Sequence, residues 1–388
     1  MTDRLPRYLL LINSLAPGGA ERSLVELLSP LTERGVSPIV VCLKKSEVGF
    51  EQEVIEAGFD LRSVKATRLP GRALEVRSII RDERPALVHT TLFDGDIVGR
   101  LAAVGTGVPV ITTLANTTYD PVRLAGDANL SKLKVGAVKM IDRWTARHLT
   151  RHFHAVSNAV KASAVAHLGI DPDDVTVVRR GRDPHRLGVR SEARRAAVRE
   201  RLGFSEEAEV VLTVGRHEFQ KGQSLLLTAF ARVSKHRPAA VMVIAGRDGN
   251  ATNSLQALAR ELDIVDRVQF LGHRSDVADL MVAADVFVFP SLWEGLGGVL
   301  IEALALEVPI VSSDLDATRE VLGGKGTSGL LVPPGDGAEL AVTLEAVLDD
   351  AGLRRRIVAD SRRRFESDFL LADRSAELID LMRSVANE

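Results

Sequence analysis

The chain has one cysteine, Cys42, so no disulfide can close within it and no cysteine-based structural zinc site can be built. A reducing compartment, by default the cytoplasm, is expected. It also lacks a charge excess. Its 50 Lys and Arg stand against 52 Asp and Glu, net charge -2, which removes the global field that draws a basic protein to nucleic acid. No long hydrophobic run occurs. The first apolar stretch, Tyr8 to Ile12, is too short for a signal-peptide core or a membrane span and reads as a buried strand. The fingerprint Gly-x-Gly-x-x-Gly is missing from the first strand-to-helix turn, which counts against an NAD enzyme. No repeat or low-complexity tract stands out.

What is present is 388 residues, 45% of them hydrophobic, enough for two α/β domains with a core each. Short apolar runs (Tyr8 to Ile12, Ser37 to Leu43, Ala86 to His89, Pro109 to Thr113, His152 to Val156) alternate with amphipathic stretches, the pattern of βαβ units around a parallel sheet. The pattern restarts after Arg179-Arg180-Gly181-Arg182-Asp183-Pro184, the expected linker, and a charged helix near Glu192 to Leu202. Val210 to Val214, Ala240 to Ala245, Val268 to Leu271, Val286 to Phe289 and Ile310 to Ser312 give a second set of strands, and the stretch from Leu340 to Glu388 reads as helices. Two doubly wound, Rossmann-like domains follow, 1–183 and 184–365, with a terminal helix over 366–388 crossing back to the first. Such sheets bind ligands beyond the carboxyl ends of their strands.

The most informative stretch is Phe289 to Ala303, in which a strand breaks into a glycine-rich loop and then a helix. Gly297 and Gly298 let backbone N–H groups approach a ligand, and the helix behind them, beginning near Val299, offers orphan donors and a positive dipole end, so the stretch reads as an anion site. Glu294 in the loop and Glu302 inside the helix flank it with acceptors suited to a polyhydroxylated, phosphate-bearing ligand. Gly215-Arg216 ends an earlier strand and Lys221-Gly222 follows. Two cations there could neutralise a leaving diphosphate, although surface ion pairs would give the same spacing. Gly18 and Gly19 precede the first helix, where a tight turn needs nothing more.

The segment Glu294 to Glu302 resembles the Glu-x7-Glu motif of the family 4 retaining glycosyltransferases, and the resemblance extends over essentially the whole chain. It implies a GT-B fold, two such domains facing across a cleft, and a nucleoside-diphosphate sugar, for instance a UDP-sugar, as donor and substrate with no cofactor. It implies that Glu294, Leu296, Gly297 and Gly298 line the donor sugar, that Glu302 binds the ribose, that Arg216 and Lys221 hold the diphosphate, and that Gly18 and Gly19 form the first glycine-rich loop. His273 and Arg274, after Leu271-Gly272, become candidates for contact with the base through their backbone. Ala245-Gly246-Arg247, Glu320 and Gly329 to Asp336 match as well. Leu296 and Gly298 depart from the frequent Phe and Pro. A larger departure is Asn116, which stands where family members often carry His. Asn116 can hydrogen-bond but cannot carry a proton charge, and His89 is the other candidate, on the acceptor side.

The expectation is therefore a retaining, metal-independent glycosyltransferase. The alternatives are a non-catalytic nucleotide-sugar binding module, a phosphorylase, for which no pyridoxal-bearing lysine motif is evident, and an epimerase. No metal ligand set is expected. Asp94-Gly95-Asp96 has metal-motif spacing but reads as a helix start far from the donor motif. The expected acceptor is a glycan, a lipid-linked molecule or a small molecule. Residues 122–152 carry Arg123, Lys132, Lys134, Lys139, Arg143, Arg147 and Arg151 against Asp127 and Asp142. They read either as a solvated basic helix or as a peripheral contact with the inner face of a membrane.

Overall fold

The computed structural model describes residues 5–121, 132–324 and 326–388. It forms two compact units, Met1–Gly181 with Leu371–Glu388, and Arg182–Leu370. In the first, β1 (Arg7–Ile12), β2 (Ser37–Cys42), β3 (Asp60–Ser63), β4 (Leu87–Thr91), β5 (Val110–Leu114), β6 (His152–Ala155) and β7 (Val175–Val177) build a parallel sheet of order β3-β2-β1-β4-β5-β6-β7. In the second, β8 (Glu209–Val214), β9 (Ala240–Ala245), β10 (Val268–Gly272), β11 (Val286–Phe289), β12 (Ile310–Ser313) and β13 (Leu330–Val332) are ordered β10-β9-β8-β11-β12-β13. Both are doubly wound α/β sheets, as the alternation of apolar and amphipathic stretches implied.

The strands read as unbroken apolar runs because helices cover both faces. Leu10 and Ile12 of β1 pack with Leu24, Leu28 and Leu31 of helix Gly19–Glu33 and with Ile379, Met382 and Val385 of the terminal helix Leu371–Asn387. Leu9 and Leu11 point the other way, onto Val76 and Ile80 of helix Leu69–Glu83 and Val98 of helix Phe93–Ala103. Each fully buried side chain of this size contributes about 1.5–3 kcal/mol. In the second unit Val211, Ile244 and Val288 meet Leu226 and Phe230 of helix Gln223–Val233 and Leu344 and Val347 of helix Gly337–Asp349.

Each sheet has one reversal of strand order. It falls between β1 and β4 in the first and between β8 and β11 in the second. At such a switch point adjacent loops leave in opposite directions and open a crevice at the carboxyl ends of the strands. The loops after β8 and β11 carry Arg216, Lys221 and Glu294. The loop after β1 carries Gly18 and Gly19. The chain passes between units at Gly181 and Leu370, where Arg182 bridges Leu370 and its N–H donates to the Phe369 carbonyl at 2.8 Å.

Candidate functional site

In the second unit the loop after β8 is pressed onto the loop after β11. Gly222 has φ +59, and a Cβ there would lie 2.0 Å from the Pro290 carbonyl oxygen, so only glycine allows the approach. The Leu292 N–H donates to Gln220 O at 2.8 Å, and Gln220 Nε2 donates to Trp293 O at 2.8 Å. This stitching brings Lys221 Nζ to 2.5 Å from Glu294 Oε1 and 5.6 Å from the centroid of the Phe289 ring. The Glu294 side chain is 8% exposed and that of Lys221 21%. Arg216 is less enclosed. Its side chain is 47% exposed, with Nε 3.7 Å from Glu218 Oε1.

Gly297, at φ +81, caps helix Gly298–Ala305; a Cβ there would crowd Leu300 Cδ1 at 3.1 Å and Phe289 Cε1 at 3.2 Å. The first turn of this helix carries N–H groups with no intrahelical acceptor. Leu296 is 1% exposed, so its side chain belongs to the core and only its backbone can meet a ligand, whereas Val299 is half-buried. Glu302 is held by Arg182, with Nε 2.8 Å from Oε1 and the arginine side chain 4% exposed. A Cβ on Gly298 would sit 2.5 Å from Arg182 Nη2, so the absence of a side chain there makes room for the guanidinium. After β10, His273 is exposed, and Arg274 is engaged by Asp276 through two hydrogen bonds of 2.8 and 2.6 Å. That pairing holds the Asp276 carboxyl below the usual range and leaves the backbone as the available face of Arg274.

The first unit is built differently. His89 lies within β4, and its Nε2 is 2.6 Å from Thr113 Oγ1, which is 3.0 Å from His154 Nδ1; His154 Nε2 is 2.8 Å from the Val178 carbonyl oxygen. A carbonyl only accepts, so His154 carries its proton on Nε2 and accepts from the Thr113 hydroxyl on Nδ1. Thr113 then accepts from His89 Nε2–H, and His89 Nδ1 remains an unprotonated nitrogen, buried and without a partner. Burial pushes the pKa of His89 down to about 3 and that of His154 down to about 4. The row of side chains is neutral. With Thr91, Ser23 and Leu24 it lines a pocket under helices Gly19–Glu33 and Leu371–Asn387.

Asn116 follows β5 and is exposed. Three residues on, buried Tyr119 donates to Asp142 Oδ2 at 2.8 Å, and Asp142 pairs with Arg100 at 2.7 Å, so the Asn116 loop is tied to helix Lys132–Leu149. At the other loops, Asn13 accepts from the Gly95 N–H at 2.8 Å, and a Cβ on Gly18 would meet the Glu21 carboxylate. Asp94-Gly95-Asp96 opens helix Phe93–Ala103. Burial raises Asp96 to a pKa of about 8, so it is a protonated acid at neutral pH and a poor metal ligand. Among the described residues no group of three or more His, Cys, Asp or Glu is placed to hold a metal ion.

The sequence pattern missed Arg182, which appeared only as one of several linker arginines. Its partner Glu302 is 120 positions away, and no spacing could announce the pair. The Thr113 and His154 partners of His89 were missed for the same reason.

Residues 17–186 match the family model for Glycosyltransferase Family 4, and residues 194–364 that for glycosyl transferases group 1. The chain is 31% identical over 382 residues to the D-inositol 3-phosphate glycosyltransferase of Kineococcus radiotolerans, spanning 89% of this chain and 86% of that one. It is 28% identical over 354 residues to the phosphatidyl-myo-inositol mannosyltransferase of Mycobacterium leprae, spanning 88% and 87%. Its fold is that of Anabaena HepE, crystallised in complex with UDP and glucose, at a TM-score of 0.85 and 21% identity over 98% of this chain and 100% of that one. The chain belongs to family 4 of the GT-B glycosyltransferases.

Proposed function

We propose that this glycosyltransferase is a retaining enzyme that needs no divalent metal and takes a hexosyl group from a nucleoside-diphosphate sugar. The observation that carries the reading is the arrangement at the second switch point. The Lys221–Glu294 and Arg182–Glu302 pairs are built into the loop and helix that present Gly297 and Gly298. In the proposed donor complex Arg216, Lys221 and the N–H groups of Gly298 and Val299 take the diphosphate, where negative charge grows as the glycosidic bond breaks. Glu294 accepts from sugar hydroxyls and Glu302 from the ribose. His273 and Arg274 contact the base through their backbone. The UDP complex of HepE makes uridine diphosphate the first nucleotide to test.

In the proposed reaction the bond between the sugar carbon C1 and the phosphate oxygen breaks. The acceptor hydroxyl oxygen bonds to the same face of C1, and its proton passes to the departing phosphate. No protein base is required. The low basicity of His89 and His154 supports that assignment, since neither ring takes up a proton near neutral pH. Asn116 is the proposed hydrogen-bond donor to the reacting sugar.

The acceptor is proposed to be a hydroxyl of a glycan, a lipid-linked molecule or a small molecule, and the relatives' names, D-inositol 3-phosphate glycosyltransferase and phosphatidyl-myo-inositol mannosyltransferase, make a phosphorylated polyol, free or on a lipid, the first to test. A lipid-linked acceptor is met at a membrane surface, and residues 122–152 are the proposed contact. Of these, 122–131, with Arg123 and Asp127, lie outside the described residues, as do the side chains of Lys132 and Lys134. Among the described residues no helix is long and apolar enough to cross a membrane. The test is to incubate the enzyme with UDP-hexoses and candidate acceptors in EDTA and determine the anomeric configuration of the product by NMR. An inverted linkage, or activity that appears only when manganese is added, would overturn the reading.

A further inference from the structure

Helix Lys132–Leu149 buries Asp142, Thr145 and Ala146 against its own unit and turns the opposite side to solvent. On that side Met140 is 67% exposed, Trp144 55% and Ile141 48%. At 100° per residue Met140, Ile141 and Trp144 form one stripe, and the exposed Arg143 and Arg147 form a second one beside it, whereas Lys139 turns to its own unit, with Nζ 3.4 Å from His167 Nδ1. Asp142 is the one acid between 135 and 149, and it faces inward onto Arg100 and Tyr119. The outward charge of this stretch is therefore entirely positive. Elsewhere among the described residues large apolar side chains are exposed singly or at most two to an element, the ordinary condition of a protein surface.

We propose that this face of helix Lys132–Leu149 is an adsorption site for anionic lipid, with Met140, Ile141 and Trp144 entering the headgroup boundary and Arg143 and Arg147 meeting lipid phosphates. The proposal rests on the membrane-contact reading above and narrows it to one face and one lipid class. An apolar stripe with an indole beside a wholly basic one matches a surface that is apolar below and negative above. A second copy of the chain fits less well. Three half-exposed side chains offer on the order of 300 Å², far short of the roughly 800 Å² per partner of a stable interface.

The test is flotation of the full chain, without nucleotide or acceptor, on phosphatidylcholine vesicles with and without about one-third phosphatidylglycerol. The protein floats with the anionic vesicles alone, and about 0.5 M salt releases it. Arg143→Glu with Arg147→Glu lowers partition at least about tenfold. Ile141→Ser with Trp144→Ser lowers it as well, and the blue shift of tryptophan emission on vesicle binding disappears in Trp144→Phe. All these positions are exposed, so the urea midpoints of the variants stay at the wild-type value. Absence from both vesicle types would overturn the proposal, as would a concentration-dependent dimer abolished by the same substitutions. Flotation that the substitutions leave unchanged would reject this face while keeping membrane contact. Transfer to a soluble acceptor is measured separately, so none of these failures bears on the donor site.

Discussion

At its switch point the second unit sets cations against carboxylates, whereas the first places the neutral row His89, Thr113 and His154 on β4, β5 and β6, in a pocket that Arg179, Arg180 and Arg374 also line. Lys221 faces Glu294 and Arg182 faces Glu302, each pair less than a quarter exposed. His89, Thr113 and His154 form a chain with no net charge, and nearby Asp96 keeps its proton. The difference separates groups that hold a fixed charge from groups that burial keeps neutral. Partly buried ion pairs hold cations and anions fixed in place, the preorganisation that the proposed donor site requires. The two histidines, whose pKa values burial drives down to about 3 and about 4, offer shape and hydrogen bonds but no charge change between pH 5 and 8.

The sharpest way to break this contrast is to remove the cations. Arg216→Ala and Lys221→Ala should each lower turnover about 100- to 1000-fold, measured as steady-state kcat with a verified donor and acceptor. Stability separates the two. Lys221→Ala leaves Glu294 buried without its partner and should cost about 2–4 kcal/mol, while Arg216, nearly half exposed, should leave the urea midpoint almost unmoved. Equal stability in the two variants would show that the Lys221 pair is not built in.

Arg182→Ala comes next. It strands Glu302 and should cost about 1–3 kcal/mol by urea unfolding, and a donor titration should show weaker binding. Arg182→Lys should recover less than half of either loss, because a single ammonium cannot reproduce the planar guanidinium.

In the first unit Asn116→Ala should impair transfer more than Asn116→His, and His89→Gln should retain measurable turnover, since a neutral buried ring carries no proton in the reaction. Full activity in Asn116→Ala together with loss in His89→Gln would move the role to His89.

The smallest effect is on pH dependence. His89 and His154 have native pKa values depressed below the ordinary 6.5, so the unfolded chain binds the extra protons as pH falls through 6.5 and stability declines with them. Asp96, with its pKa raised to about 8, acts in the opposite sense, because the native state holds the proton that the unfolded chain loses above about 4. Between pH 7 and 5, His89→Gln should therefore lose less stability than the wild type, by up to about 2 kcal/mol, read from urea midpoints at both values.

Much of this was legible in the sequence. The continuous run Leu9 to Ile12 announces a strand covered on both faces, and the break from Phe289 through Gly297 and Gly298 announces the start of helix Gly298–Ala305. Strands β3, β7 and β13 were not legible, because three or four residues such as Asp60-Leu61-Arg62-Ser63 give no hydrophobic period to count. The pairing within the site was hidden as well. Lys221 and Glu294 both stood out, but their contact joins positions 73 residues apart and depends on Gly222 letting two loops touch. Arg182 gave no signal, because an arginine in a basic linker looks the same whether it is solvated or buried against a helix. The neutrality of His89 and Asp96 is a property of burial, which the sequence does not display.

If the second unit binds the nucleotide through its charged groups without metal, calorimetric titration of UDP in EDTA should show one site on the wild type. In Glu302→Ala the affinity should be at least about tenfold lower, roughly 1.4 kcal/mol. No binding to the wild type until manganese is added, or an affinity that Glu302→Ala leaves unchanged, would contradict this mode of binding.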